Sequence, residues 1–305
     1  MNYDTIKVCH NDGHEILVSH DLSVSTKKAN VLLLHGMTEH HKRYDNFSLF
    51  LTTQGYDVYR YSHRGHGTHL KTSELGSISD RNGAQLVVED AICVLREIHR
   101  RDADTPTIVF GHSMGSFIAR NLIQQYDQID GIILCGTANP PNLITMGGLF
   151  IAILTGCYLS PKKKSPMMDK LVFGSSKYKK LNTRTNFDWL TTDTAEVDRY
   201  IEDEFCGFIC SKSFYKDLLL LIKRSTGNKS ILKIPKTIPI FILSGAQDPV
   251  GNYGIDITRL INFFSKHGYT VTSKLYPGMR HELLNEQYND NVMKDISMFL
   301  EKALD

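Results

Sequence analysis

The segment best suited to covalent chemistry is Gly111-His112-Ser113-Met114-Gly115, which matches the pattern GxSxG. It follows an apolar run typical of a strand and precedes a helical pattern. In that setting the pattern predicts a tight strand-to-helix turn that exposes Ser113, and its glycines allow close backbone approach. An exposed serine can attack an acyl carbon, and the Met114 N–H at the helix N-terminus can stabilise the oxyanion that forms. We therefore expect Ser113 to be the nucleophile of an acyl transfer.

Such a serine needs a histidine to take its proton, and the histidine needs a carboxylate to fix its tautomer. Asp248 follows the apolar run 239–243, and His281 follows the run 271–275. This order of Ser, Asp and His, with each partner after a strand, is the order of the GxSxG template. The sequence predicts a catalytic triad of Ser113, Asp248 and His281, with an ordinary turn aspartate and a surface histidine as the alternatives.

A second oxyanion donor is expected in the loop Leu34-His35-Gly36-Met37-Thr38, which follows an early apolar strand. Glycine permits close backbone approach there, so the Met37 N–H could oppose that of Met114. A plain glycine-containing turn is the alternative interpretation.

The chain has 13 histidines, so the others need an assignment. We expect His112 to point away from Ser113. His63 and His66 precede Ser113 in the chain and are expected to have structural roles in a loop. His40 and His41 are expected to be solvated.

Apolar runs alternate with amphipathic stretches, which predicts a mostly parallel sheet with helices on both faces. Val8 and 16–19, on either side of Asn11-Asp12-Gly13, predict an N-terminal hairpin. The strand runs are 31–34, 58–61, 107–110, 131–134, 239–243 and 271–275, and the helical patterns are 85–100, 114–126 and 255–266.

About a hundred residues separate the runs that end at 134 and begin at 239, which is far longer than an ordinary connection. We interpret 139–236 as a helical cap inserted into a core of 1–138 and 237–305. Within it, 143–159 carries no charge and a basic stretch that includes Lys162, Lys163 and Lys164 follows. A membrane span, a buried cap helix, and a helix that lines an acyl pocket or touches a membrane surface are the three interpretations.

Composition excludes some classes of function. The formal net charge of +2 gives no reason to expect nucleic-acid binding. The N-terminus lacks the apolar core of a secretory signal, and the six cysteines are scattered, so we expect a cytoplasmic protein with reduced thiols. Cys206 and Cys210 alone do not make a convincing metal site, and we expect neither metal nor cofactor.

Five motifs, in this order and spacing, resemble the monoacylglycerol lipase and lysophospholipase-like branch of the α/β-hydrolases, including its bacterial members. They are HGMTEHHKRY at 35–44, SHRGHG at 62–67, GHSMGS at 111–116, SGAQDPVG at 244–251 and YPGMRHELLNE at 276–286. The segment 187–208 also resembles a cap segment of the bacterial members. The resemblance implies the α/β-hydrolase fold, cofactor-free hydrolysis of carboxylic esters, a triad of Ser113, Asp248 and His281, and an oxyanion hole of the Met37 and Met114 amides.

The chain departs from many relatives at Ser62, where they have Asp, and at Ser116, where they have Gly.

The apolar cap run, together with Met37, Met114, Met146 and Met279, favours an acyl chain of a monoacylglycerol or lysophospholipid as substrate. A serine peptidase or thioesterase on the same triad is the alternative enzyme, and a non-catalytic protein that binds hydrophobic ligands is the alternative outside enzymes. An unperturbed histidine pKa of about 6.5 would make activity fall on acidification through that region. The oligomeric state stays open.

Overall fold

The computed structural model describes residues 3–155, 160–174, 176–181, 183–226, 231 and 233–304. In these residues one sheet has eight strands in the order β1-β2-β4-β3-β5-β6-β7-β8. β1 pairs antiparallel with β2 and β2 with β4, and all other pairs are parallel. The strands are β1 Tyr3–Cys9, β2 Glu15–Asp21, β3 Ala29–Leu34, β4 Tyr56–Tyr61, β5 Thr107–His112, β6 Gly131–Cys135, β7 Ile240–Gly245 and β8 Val271–Tyr276. The mostly parallel sheet and the N-terminal hairpin agree with the sequence prediction.

Helices cover both faces of this sheet, and β3 to β7 are accordingly buried along their whole length, β4 with the charged Asp57 and Arg60 included. One face packs against α2, α3 and α9, and the other against α1 and α10. These helices are α1 Asp45–Thr53, α2 Gly83–Arg101, α3 Met114–Leu122, α9 Ile255–Lys266 and α10 Asp290–Leu304. The predicted helix 114–126 ends four residues early, in a turn in which the Gln125 N–H donates to the Leu122 carbonyl at 2.8 Å.

Between β6 and β7 the chain forms helices rather than further strands of the sheet. They are α4 Asn142–Leu154, α5 Pro166–Phe173, α6 Ser176–Lys179, α7 Thr194–Glu202 and α8 Lys212–Ser225. Helix α8 packs against α2, α3 and α4 and so fixes this insertion, the cap, to the core. The predicted α/β-hydrolase fold with an inserted helical cap is confirmed.

The uncharged run at 143–159 begins with α4, and its last four residues, 156–159, lie outside the described residues. Leu149 and Ala152 of α4 are buried, whereas Leu143 is 84% exposed and Phe150 61%. Among the described helices, none has the length and apolar character needed to cross a bilayer. The helix therefore has one face on the protein and one apolar face toward solvent.

The turn at Ser113 joins β5 to α3 with a strained backbone. Ser113 has φ 51° and ψ −117°, a conformation that L-residues rarely adopt. A Cβ on Gly115 would lie 2.1 Å from the carbonyl oxygen of Leu34, so only glycine lets α3 approach β3 this closely. Strand, turn and helix therefore place Ser113 at the carboxyl edge of the central strand.

Candidate active site

Ser113 is held by hydrogen bonds around its peptide groups. Its N–H donates to the carbonyl of Cys135 at 2.9 Å. The hydroxyl of Ser116 contacts the carbonyl of Ser113 at 2.6 Å and the hydroxyl of Thr137 at 2.8 Å. The Ser116 hydroxyl therefore contacts the turn, and Ser116 does not line the cavity.

His281 and Asp248 lie in the loops that follow the neighbouring parallel strands β8 and β7. His281 Nδ1 is 2.9 Å from Asp248 Oδ2, and both side chains are almost completely buried. The Val250 N–H also donates to Asp248 Oδ1 at 2.7 Å. Because a carboxylate only accepts, Nδ1 carries the proton, which leaves Nε2 of His281 free to act as a base.

Electrostatics around His281 favour its charged form. Burial lowers the pKa of the imidazole, but the Asp248 carboxylate raises it, and Glu282 and Glu39 add to the effect, so that the pKa lies above its ordinary value. The expectation of an unperturbed pKa does not allow for this. His112, by contrast, has its pKa lowered to about 3 by burial and by the nearby His281.

Met37 and Met114, whose backbone amides are the predicted oxyanion donors, both line one cavity with Ser113 and His281. The neighbours of Met37 are anchored: the Gly36 N–H donates to Glu39 Oε1 at 2.5 Å, and the Thr38 N–H donates to His66 Nε2 at 3.1 Å. No protein acceptor among the described residues takes the N–H of Met37 or Met114. Both amides are therefore available to a ligand.

A buried cluster of charges links the Met37 loop to the His281 loop, and the sequence analysis missed it. Arg43 donates to Glu39 Oε2 at 2.8 Å and to both carboxylate oxygens of Glu282 at 2.6 and 2.8 Å. The Tyr44 hydroxyl donates to Glu39 Oε1 at 2.8 Å. The only signal in the sequence is that these residues belong to the motifs at 35–44 and 276–286.

The single positive charge of Arg43 cannot neutralise the charges of both Glu39 and Glu282. Burial raises the pKa of Glu39, whereas for Glu282 the effect of burial is overcome by Arg43, which brings that pKa down to about 2. The cluster therefore holds Glu282 ionised next to His281, with the bidentate arginine fixing its position.

Two expectations about the other histidines are wrong. His112 does not turn away from the site but lines the cavity, with its ring centroid 4.8 Å from that of His281. His40 is buried rather than solvated, because its Nε2 is bonded to Asp203 of the cap at 2.8 Å. His66 agrees with its predicted structural role, since it accepts the Thr38 N–H.

The cavity has a volume of about 680 Å³ and a largely apolar wall. Trp189 of the cap lies over His281, with the ring centroids 5.1 Å apart, and packs against Phe173 and Tyr178 at 5.5 and 5.3 Å. Further apolar lining comes from Phe117, Pro140, Val172, Phe187, Leu218, Ile222 and Val250. Of the four methionines expected near the pocket, Met37 and Met114 line it, whereas Met146 is 46% exposed on α4.

Residues 25–288 match the family model described as serine aminopeptidase, S33. The chain belongs to this family of α/β-hydrolases. The family resemblance found in the motifs is therefore confirmed.

Several known proteins are similar to the chain over nearly its whole length. Phospholipase YtpA of Bacillus subtilis is 25% identical over 282 residues, which cover 90% of this chain and 96% of that protein. Monoglyceride lipase of Mus musculus is 24% identical over 300 residues, or 95% and 88% of the two chains. A solved thermostable carboxyl esterase from Bacillus coagulans superposes with a TM-score of 0.92 at 25% identity over 100% of both chains. A soluble variant of monoglyceride lipase from Saccharomyces cerevisiae gives 0.77 at 20% identity over 99% and 95%.

The raised pKa of His281 predicts the pH dependence of hydrolysis. The base must be neutral to accept a proton, so kcat/KM should fall as the pH drops through a value above 6.5. Asp248→Asn removes the main charge that raises this pKa and should move the acid limb to lower pH, with kcat reduced by roughly 10⁴. The control is Asp256→Asn, which changes another buried carboxylate of the cavity, paired with Arg259, and should leave the limb in place. An acid limb that is the same in wild type and Asp248→Asn would contradict this assignment.

Removal of Arg43 should be costly because two buried carboxylates would lose their common partner. We expect Arg43→Gln to lower the free energy of unfolding by about 3–5 kcal/mol in urea denaturation. Arg184→Gln makes the same change at the exposed pair with Asp198, and should cost less than about 1 kcal/mol. Equal losses of unfolding free energy in the two variants would show that the buried cluster does not stabilise the protein more than an exposed ion pair does.

Proposed function

We propose that the chain hydrolyses carboxylic esters of acyl lipids, of the monoacylglycerol or lysophospholipid type, through an acyl-enzyme on Ser113. The observation that carries this proposal is the buried His281–Asp248 hydrogen bond in the same cavity as Ser113, a partly buried serine on a strained turn, with a largely apolar cavity wall. Each of these features is costly to maintain and has a direct use in acyl transfer.

The proposed reaction has two steps. Ser113 Oγ attacks the ester carbonyl while His281 Nε2 takes its proton, and Asp248 stabilises the imidazolium. The amides of Met37 and Met114 donate to the oxyanion, and His281 returns the proton to the leaving alcohol. A water molecule then gives a proton to His281 and attacks the acyl-enzyme carbonyl. The bond to Ser113 breaks, the fatty acid leaves, and His281 returns that proton to Ser113 Oγ.

The wall of the cavity favours an acyl chain as the substrate group. Its lining is mostly aliphatic and aromatic, and about 680 Å³ is within the range of sites that enclose a ligand of drug-like size. The similar proteins named above as phospholipase and monoglyceride lipase point the same way. Which head group is preferred stays a question for a substrate panel.

Two other activities on the same triad stay open as alternatives. A peptidase that trims amino termini needs a carboxylate free to bind the substrate ammonium. In the cavity wall Glu39 and Glu282 are paired with Arg43, and Asp256 with Arg259. Asp169 also lines the cavity and accepts a hydrogen bond from the Tyr215 hydroxyl rather than an ion pair, so a carboxylate for such an ammonium is present and the peptidase stays an alternative. The thioesterase alternative differs only in the leaving group.

We further propose that 139–236 works as a cap that meets a membrane surface through α4, and that the protein is cytoplasmic. The apolar side of α4 that includes Leu143 and Phe150 is exposed beside the cavity, and such a face binds at the boundary of head groups and acyl chains. The described cysteines are all free thiols, which fits a reducing compartment.

The nucleophile is tested by Ser113→Ala, assayed with a medium-chain p-nitrophenyl ester, a monoacylglycerol and a lysophospholipid. We expect turnover of each substrate that wild type cleaves to fall by at least about 10³-fold, because the variant lacks the hydroxyl on which the acyl-enzyme is proposed to form. Ser116→Ala, the same change three residues along, should retain turnover. Its hydroxyl contacts the Ser113 carbonyl, and Ser116 does not line the cavity. Circular dichroism confirms that both variants are folded. Turnover that survives in folded Ser113→Ala would overturn the proposal.

Vesicle co-sedimentation tests the membrane contact. The double variant Leu143→Ser/Phe150→Ser should bind phosphatidylcholine vesicles at least about tenfold more weakly than wild type, because two large side chains no longer enter the lipid. Its turnover of the water-soluble ester should not change. The control is Val24→Ser, which removes a side chain that is 73% exposed in the loop before β3. This loop lies at the amino end of β3, whereas the site lies at the carboxyl ends of the strands, so the variant should bind vesicles like wild type. Unchanged binding by the double variant would exclude α4 as the contact.

A further inference from the structure

Outside the cavity, three side chains with metal-binding atoms converge where the cap meets the Met37 loop. They are His40 from the loop after β3, and Asp203 and Cys206 from the segment after α7. Their ligand atoms all lie within 4.8 Å of one another, and no other trio of this kind occurs in the described part of the chain. We propose that His40, Asp203 and Cys206 form a binding site for a divalent transition-metal ion, with Zn²⁺ as the best match.

The donor set supports zinc over the hard cations. Imidazole nitrogen, carboxylate oxygen and thiolate sulfur are its usual protein ligands, whereas Mg²⁺ and Ca²⁺ prefer oxygen. His40 Nε2 and Asp203 Oδ2 are 2.8 Å apart. A tetrahedral ion with bonds of about 2 Å would need that separation to open to about 3.3 Å, a small movement of two side chains. Three protein ligands leave a fourth position for water.

Burial and charge also suit a cation at this place. His40 is 5% exposed and Cys206 8%, so these two ligands are shielded from solvent, whereas the Asp203 side chain is 31% exposed and leaves a path for the ion. Burial raises the pKa of Asp203, but hydrogen bonds from His40 and from the Phe205 N–H together lower it below its ordinary value, which favours the carboxylate. Close by, Glu39 and Glu282 share the single cation Arg43, so carboxyl groups outnumber bases around the site.

Metal binding would release one proton, from the Cys206 thiol, and would move another between the two nitrogens of His40. In its absence, burial raises the pKa of the Cys206 thiol, which keeps its proton. The ion would bind the thiolate and release that one proton to solvent. The imidazole proton would move from Nε2 to Nδ1 of His40. Nδ1 is buried and has no hydrogen-bond partner among the described residues, so no existing hydrogen bond opposes this change of tautomer.

The bound ion would join two parts of the molecule that already touch. The Gly207 N–H donates to the Thr38 carbonyl at 2.9 Å, and the Tyr200 hydroxyl donates to the same oxygen at 2.9 Å. Thr38 follows Met37, the proposed oxyanion donor. A metal between His40 and Cys206 would therefore fasten the cap segment to the oxyanion loop and raise the midpoint of thermal unfolding.

The test uses Co²⁺ as a spectroscopic stand-in for Zn²⁺, added to the chelator-treated full chain. A cysteine ligand gives a thiolate-to-cobalt charge-transfer band in the near ultraviolet, and a tetrahedral site gives intense visible bands. The variants are Cys206→Ser, which keeps a hydroxyl for the bond to Asp203, and His40→Gln. Cys210→Ser is the matched control, because it changes a buried thiol four residues away that does not belong to the cluster.

We expect wild type and Cys210→Ser to bind one Co²⁺ with the charge-transfer band, to lose the band on addition of Zn²⁺, and to unfold at a higher temperature with Zn²⁺. Cys206→Ser should lack the band, and His40→Gln should bind at least about tenfold more weakly. If folded wild type shows no band at saturating Co²⁺, or if the band persists in Cys206→Ser, the proposal is wrong. Since the readout is spectroscopic, it is independent of the proposed hydrolysis.

Discussion

The hydrogen bond between His281 and Asp248 ties together the two loops at the carboxyl ends of β8 and β7. It joins two almost fully buried groups across 2.9 Å, and a buried carboxylate is tolerated only when its oxygens are satisfied. The parallel pairing of β7 and β8 supplies the geometry, since loops that follow neighbouring parallel strands leave the sheet side by side. The Val250 N–H then supplies the second bond to Asp248.

The third loop of the site is held by charge rather than by strand pairing alone. Arg43 connects Glu39, which anchors the loop of Met37, to Glu282, which follows His281. The same carboxylates raise the pKa of His281, so one buried cluster both holds the Met37 loop and shifts the titration of His281. The cap completes the enclosure through Trp189, whose ring lies over His281 and keeps that side of the site apolar.

Local pattern and chain order were enough to predict much of this molecule. GxSxG between a strand and a helix predicts a specific turn geometry. Apolar runs identify most of the strands, because a parallel sheet covered on both faces favours apolar residues at successive positions. Asp248 and His281 could be selected by order because each follows a strand. Their contact is now observed, whereas their catalytic roles, like those of Ser113, Met37 and Met114, stay predictions.

What the sequence could not supply comes from contacts between distant residues. Arg43 and Glu282 are 239 positions apart, and His40 is buried only because Asp203, 163 positions away, covers it. The prediction of an unperturbed pKa for His281 was wrong for the same reason, because the carboxylates that raise this pKa belong to three separate loops. The run at 143–159 is charge-free throughout, so its composition could not tell the face of α4 on the protein from the face toward solvent.

The most direct test of the central claim is to react the protein with a p-nitrophenyl alkylphosphonate, which transfers its phosphonyl group to an activated serine and releases p-nitrophenolate. Intact-mass spectrometry and peptide mapping then locate the adduct. The triad predicts one phosphonyl group per chain, on Ser113, with a rate that falls as the pH drops through the raised pKa of His281. No adduct on the folded protein, or an adduct on another residue, would contradict it.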